Sequence, residues 1–433
     1  MIKGIIAALV AAAAVPLAVT GAVPLAVTVA IAGAGPSLHA QDTGRRTDIV
    51  DLAIGDPARK DRKVTVGVDR LIDTSTAAEI SPADLARRFR DTRLLLIGET
   101  HTSSESHRVQ RQVIEALHRA GRRVIIGLEM YPYTAQEPLD RWSRGAADGP
   151  APMSEEAFVK ESGWYLHWGY HFGYYRDIFL FARDRGVRMA GVNAPREVIS
   201  AVRKKGLRNL APEEARLLPP DIDTDDPEHL ALFKAHFGAD DVTHGGSGGM
   251  TEAVWKDMLA AQTAWDATMA FHAVRAWREA KDDQAIVVVL VGSGHVAYGL
   301  GIERQARRWF DREISTLIPI DIKRGETLDV RASYANVVWG VPVEPYPTYP
   351  TLGITPVTRS ADQLQQVVSV DRNSPAARAG VAQGDIVLAL DGQPIASRED
   401  FNRLSALKDW GDTAELKIRR GTEELTLKLL LRR

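Results

Sequence analysis

Four apolar runs, each closing on a polar or ionisable residue, restrict this chain to few folds. Leu94-Leu95-Leu96-Ile97 runs into Gly98-Glu99-Thr100-His101, and Val124-Ile125-Ile126-Gly127-Leu128 ends at Glu129. Val187 to Val192 ends at Asn193, with Arg196 just beyond, and Ile286 to Val291 ends in Gly292-Ser293-Gly294-His295. Continuous apolar runs of this kind read as strands covered on both faces, the condition of a parallel sheet. Between them the apolar spacing turns helical. Val109, Val113 and Leu117 share one face of a segment that has Ser103 or Ser104 as N-cap and Gly121 as its stop. Thr251 to Ala280 reads as one long helix, on which Gln262 and Asp266 share a face with Trp255, Leu259 and Met269. Alternating strands and helices imply an α/β domain with a mostly parallel sheet.

In such sheets ligands bind outside the carboxyl ends of the strands. If the four strands are parallel, Glu99, His101, Glu129, Asn193, Arg196 and His295 converge. Glu99, His101, Glu129 and His295 form the candidate catalytic set. His101, Glu129 and His295 are also candidate ligands for a divalent metal ion, and the same groups can instead serve as base and acid on a bound substrate. Gln262 and Asp266 are placed to support them from behind. Trp164 to Phe181 is dense in aromatic residues although the chain is only 7% aromatic. It reads either as core packing or as a flat apolar surface with imidazole and phenol donors, which suits a porphyrin. Tyr170, His171, Tyr174, Arg196 and Tyr298 are the candidate cofactor-binding residues. The Gly-rich stretch 238–250, with His236 and His244 close by, reads as a surface loop and candidate lid.

Composition narrows the chemistry further. Lys and Arg number 54 against 56 Asp and Glu, a net charge of −2 that predicts no nucleic-acid partner. With no cysteine, disulfides, thiolate nucleophiles, zinc fingers and thiolate-held haem are excluded. Met1-Ile2-Lys3 supplies one positive charge, and Gly4 to Pro36 carries none. The expected reading of 1–40 is an export signal cut after Ala40, with an uncleaved membrane anchor as the alternative. Ala14–Thr20 and Ala22–Thr28 repeat AVPLAVT within it. Export places the protein in a bacterial periplasm or cell envelope. Residues 41–70 read as a polar tether, 71–340 as the α/β domain, 341–350 as a Pro-rich linker and 351–433 as a small β-rich domain.

LLLIGETH, IIGLEMYP followed by Gln136 to Trp142, Tyr175-Arg176-Asp177-Ile178, Val192-Asn193-Ala194-Pro195-Arg196, AQTAWDATMA and VLVGSGHVAYG occur in that order. From about Leu94 to Trp339 the chain resembles the ChaN-type haem-binding, iron-regulated proteins. The wider superfamily includes Tiki-type metal-dependent proteases and erythromycin esterases, which share the Gly-Glu-x-His and Gly-x-Gly-His-like segments found here at Gly98–His101 and Gly292–His295. The resemblance implies a parallel sheet flanked by helices with a helical subdomain, and a cavity at the two histidine motifs. It implies haem as cofactor, a role in iron uptake and a tyrosine ligand at a homodimer interface. The superfamily's hydrolase residues transfer onto Glu99, His101, Glu129 and His295. The chain departs from lipid-anchored ChaN-type proteins, because without cysteine it cannot carry their lipid.

Leu352-Gly353-Ile354, Ser374-Pro375-Ala376-Ala377-Arg378-Ala379-Gly380, Gly384-Asp385-Ile386-Val387 and Asp391-Gly392 resemble an HtrA-like PDZ domain. The resemblance implies that Leu352, Gly353 and Ile354 receive a peptide C-terminus, which adds a strand to the sheet edge. Two functions follow: an exported haem or iron binder docked by its PDZ domain, or a metal-dependent hydrolase to which that domain presents substrate C-termini. A pure adaptor ranks third.

Overall fold

In the computed structural model, residues 49–144, 153–237, 251–359 and 362–433 are described. The expected signal, residues 41–48 of the expected tether and the Gly-rich 238–250 stretch lie outside them. Ten strands build the larger domain: β1 (Lys63–Gly67), β2 (Leu71–Asp73), β3 (Ala78–Ile80), β4 (Thr92–Glu99), β5 (Val124–Pro132), β6 (Arg188–Asn193), β7 (Ile286–Gly292), β8 (Glu313–Ile322), β9 (Thr327–Arg331) and β10 (Val337–Pro342). Eight of them form one sheet in the order β3-β2-β10-β8-β4-β7-β5-β6. From β10 to β6 every neighbouring pair is parallel, and β2 and β3 add an antiparallel edge. The four strands read from the sequence are therefore neighbours, and their carboxyl ends open on one side.

Alternation along β4 explains why the sheet is apolar throughout. Leu94 and Leu96 join one core cluster, with Met269, Ala273 and Val274 of the helix Glu252–Glu279. Leu95 and Ile97 join the other, with Val109, Val113 and Leu117 of the helix Ser104–Arg119. Both helices start where the sequence places them, for Ser103 accepts the Ser106 N–H and Thr251 accepts the Val254 N–H. The aromatic segment breaks into a short helix Trp164–His167, a turn Phe172–Tyr174 and a helix Arg176–Arg185. Trp164, Trp168, Phe172, Tyr175 and Phe179 are all buried in the second cluster.

Two boundaries need correction. Residues 49–70 are no tether: β1 pairs with β9, Val64 and Val66 turn inward, and Val50 joins the core. The polar residues that alternate with Val64 and Val66 disguise a half-buried strand as a linker. The linker begins later than expected, since Val341 and Pro342 complete β10. It is also packed: Tyr349 stacks on His171 at 3.6 Å between ring centroids, and the Trp410 indole donates to the Pro347 carbonyl at 3.0 Å. A Cβ on Gly173 would stand 2.1 Å from the Tyr349 hydroxyl, so this packing requires glycine there.

Beyond it, β11 (Ile354–Thr358), β12 (Gln365–Val370), β13 (Ile386–Leu390), β14 (Gln393–Pro394), β15 (Thr413–Arg420) and β16 (Glu423–Leu430) form an antiparallel sheet with its own core. The helix Arg398–Ser405 packs on this sheet and also on the 164–167 helix of the larger domain. Among the described residues, no helix is long and apolar enough to cross a membrane.

Gly340 tests the packing of β10 against the end of β1 and the turn that follows it. A Cβ there would stand 2.0 Å from the Gly67 carbonyl oxygen. Backbone against backbone cannot relax cheaply, so Gly340→Ala is expected to cost about 1–3 kcal/mol. Thermal unfolding should show a midpoint lowered by several degrees, and an unchanged midpoint would contradict this packing.

Candidate functional site

The sheet register places Glu99 of β4 opposite Gly292 of β7, while Leu128, next to Glu129, pairs with Leu290. Two histidines stand beside these strand ends. A Cβ on Gly292 would lie 3.3 Å from His101 Nε2 and 3.7 Å from His295 Cδ2, so glycine lets both imidazoles close on the strand end.

Each imidazole is held by a buried carboxylate. His101 Nδ1 donates to Glu99 Oε1 at 2.8 Å. His295 Nδ1 donates to Asp266 Oδ1 at 2.5 Å, with the Gln262 amide 2.9 Å away. Because an ionised carboxylate only accepts, the Nδ1 proton is fixed on both rings and Nε2 is the nitrogen that remains. His295 Nε2 faces Glu129 Oε1 at 3.5 Å, and Glu129 Oε2 accepts the Gly292 N–H at 2.7 Å.

Glu99 is the most heavily committed group. Besides His101 it accepts from the Tyr175 hydroxyl and, at 2.6 Å, from Gln110 Nε2. His107 Nδ1 lies 3.7 Å from its second oxygen and is itself bonded to Gln110 at 3.0 Å. Burial alone would push this carboxyl up, but the charge of His107 and the bonds from His101 and Tyr175 outweigh it and hold Glu99 at about 2. Burial likewise opposes charge on His101 and His295. The Glu99 and Asp266 contacts prevail, with Glu129 assisting both, and each imidazole is raised above its ordinary value.

The outer wall is aromatic. His101 meets the Trp168 ring edge at 4.9 Å and the Tyr170 ring at the same distance, and Trp265 meets His295 at 4.8 Å. Among the described residues the Tyr170 hydroxyl has no hydrogen-bond partner. Behind His295, the Asp266 Oδ2 atom lies 3.7 Å from His229 Nε2.

The fold thus gathers Glu99, His101, Glu129, His295 and Tyr170. Asn193 joins through its side chain, whose Nδ2 donates to the Glu129 carbonyl at 2.6 Å. Arg196 stands at the rim and donates to the His167 carbonyl at 2.6 Å. His171 and Tyr174 face the linker instead, against Tyr349. Tyr298 serves another structure altogether: its hydroxyl donates to the Ile49 carbonyl at 2.6 Å and accepts the Leu52 N–H. The expected metal set His101, Glu129 and His295 is not drawn into a ligand cluster, and among the described residues no three His, Asp or Glu groups are placed to hold a metal ion. In the small domain, Leu352 is buried, Gly353 has φ +77° with its carbonyl tied to the Asp371 N–H, and Ile354 opens the edge strand β11.

Sequence reading did not single out His107, Gln110 and Tyr175 for the site. The available signal was a pair of polar residues at i and i+3 on the apolar face of the 104–119 helix, where a buried polar group must have a partner.

Comparison with known proteins agrees with these two units. The model of the family described as haem-binding uptake, Tiki superfamily, ChaN matches residues 85–305, and that of the PDZ domain matches residues 350–431. A ChaN structure from Campylobacter jejuni with cofacially bound haem aligns with 62% of this chain and 95% of its own, at 18% identity and a TM-score of 0.46. A serine endoprotease from Yersinia pestis aligns with 19% of this chain and 29% of its own, at 24% identity and a TM-score of 0.18. A provisionally named zinc metalloprotease of Clostridium perfringens is 44% identical over 61 residues, 14% of this chain. The chain spans 18% of the length of that relative.

The Glu99 network makes a pH prediction. A carboxyl lowered from its ordinary 4.5 to about 2 stabilises the fold above the unfolded value and loses that contribution as pH falls through this window. The amount is on the order of 3 kcal/mol. Glu99→Gln should lower stability at pH 7 and flatten the acid limb between these values. Denaturant unfolding across pH 2 to 7 checks it; an equally steep acid limb in the variant would place the titration elsewhere.

Proposed function

This chain belongs to the haem-binding uptake family of the Tiki superfamily, the ChaN family, and we propose on that premise that it is an exported haem binder working in iron uptake. Its PDZ domain docks it on the C-terminal peptide of a partner protein. The observation that carries the haem reading is Tyr170, a phenol without a hydrogen-bond partner among the described residues, whose ring lies against His101 at the open ends of the strands.

The residues suit the group. Haem would need an oxygen or nitrogen donor and apolar walls, and thiolate ligation is closed to a chain without cysteine. When bound, haem would supply an iron that takes such a donor. Tyr170 offers the oxygen, and the Nε2 atoms of His101 and His295 offer nitrogens. Burial, then the Glu129 charge, hold the Tyr170 phenol protonated, while Arg398 works towards the phenolate. Trp168 and Tyr175 close the inner wall against water, both buried.

The PDZ reading is supported by β11, which among the described residues has a strand neighbour on one side only. Its free edge, entered through Leu352, Gly353 and Ile354, is where an extended peptide adds a strand. The export reading rests on the charge and apolar pattern of residues 1–40, and would put the protein in the periplasm or, with that segment uncleaved, at the membrane.

Hydrolysis is the second reading, favoured by the paired carboxylate–imidazole contacts. With Nδ1 anchored, Nε2 of His101 can take a proton from water and return it to a leaving group.

Hemin titration separates the two. Wild type should give a saturable Soret shift, and Tyr170→Phe should weaken binding about ten-fold or more. No shift at micromolar hemin would refute the haem reading. Turnover of ester or peptide substrates that disappears in His101→Ala would favour the hydrolase.

A further inference from the structure

We propose that Arg196 and Arg398, one from each domain, clamp a carboxylate arm of the ligand held beside His101. Under the haem reading, on which this rests, that arm is a porphyrin propionate.

The two guanidiniums meet at one short loop, 167–170. Arg196, the first residue of the helix Arg196–Lys205, donates from Nη2 to the His167 carbonyl at 2.6 Å. Arg398, the first residue of the helix Arg398–Ser405, has Nη2 3.6 Å from where a Cβ on Gly169 would stand. Asn402 of the same helix fixes the approach, donating to the Tyr165 carbonyl at 3.0 Å. The next residue of the loop is Tyr170, whose ring lies against His101. The clamp is therefore one residue from the phenol that faces the site.

Several arginines of the larger domain, Arg59, Arg88, Arg304 and Arg331, pair with aspartates, while others such as Arg122 bond only carbonyls. Among the described residues no carboxylate pairs with Arg196 or Arg398. The Arg196 side chain is solvent-accessible yet crowded, and this crowding, followed by the Arg398 charge, draws it below its usual range. Two guanidiniums beside one loop present positive charge that a bound carboxylate would neutralise. The planar guanidinium fork matches a carboxylate in two hydrogen bonds, which a point-like ammonium does not. Since Arg398 comes from the PDZ domain, the ligand site of the larger domain is completed by the smaller one.

A carboxylate has two sources here, because the 398–405 helix also packs against β11, where a peptide C-terminus is expected. The position of Arg398 beside Gly169 and Tyr170 favours the porphyrin. The test titrates the full chain with hemin and with hemin dimethyl ester, which lacks free carboxylates, in wild type, Arg196→Gln and Arg398→Gln. Wild type should prefer hemin about ten-fold or more, and each variant should lose most of that preference while binding the ester as wild type does. A parallel arm measures a peptide with a free or an amidated C-terminus, whose discrimination should not change. Unaltered hemin preference in both variants overturns the clamp. Equal loss of hemin and ester overturns it in favour of a merely structural role. A change confined to the peptide arm overturns it in favour of the peptide carboxylate. If wild type binds the ester but not hemin any better, the clamp fails while the haem reading stands; if it binds neither, both fail.

Discussion

The Glu99 carboxylate is buried at the end of a central strand, and most of the site is arranged to keep it there. An unpaired carboxylate in a protein interior costs several kcal/mol. Glu99 avoids that cost through His101 two residues away, His107 and Gln110 on the following helix, and Tyr175 on the aromatic segment. These partners come from separate elements, so one charge fixes the strand end, the 104–119 helix and the aromatic segment relative to each other. His101 is aimed as a by-product: its Nδ1 serves the carboxylate, and its Nε2 is left towards the mouth. Asp266 repeats the device for His295 from the long helix.

Much of this was legible in the sequence. Apolar runs without alternation marked strands β4, β5, β6 and β7, and the polar residue closing each run marked the open side of the sheet. The spacing of Gln262 and Asp266 on the long helix placed them behind the site, where both meet His295. What stayed hidden depends on contacts distant in sequence. Tyr298 sits beside a histidine motif in the chain, yet its hydroxyl is engaged by residues 49–52, more than 240 positions away. Val64 and Val66 are too few to announce a strand until β9 is there to pair with them. His171 and Tyr174 look identical in kind to Tyr170, and only the folded linker shows that Tyr349 claims both.

The linker and the aromatic segment also decide how the two domains meet. A proline-rich stretch would ordinarily act as a stiff spacer. Here Tyr349 stacks on His171 and Trp410 returns two contacts to residues 347 and 348, so the spacer is gripped from both ends. The 398–405 helix then rests on the 164–167 turn through Asn402. The same helix also packs against β11, so one element lies against both domains.

The groups open to a ligand are those that the core has not already used. Tyr174 bonds the Tyr349 backbone, Tyr175 bonds Glu99, Tyr298 bonds Ile49, and both histidine Nδ1 atoms are bound to carboxylates. Among the described residues, what remains around the open strand ends includes the His101 Nε2 atom, the Tyr170 phenol and the guanidiniums of Arg196 and Arg398, while His295 Nε2 faces Glu129. A hydrolase needs the first of these and has no use for an unengaged phenol flanked by arginines. A porphyrin with an iron at its centre and carboxylates at its edge uses all three kinds, and it is this leftover set, rather than the count of histidines, that ranks haem above hydrolysis.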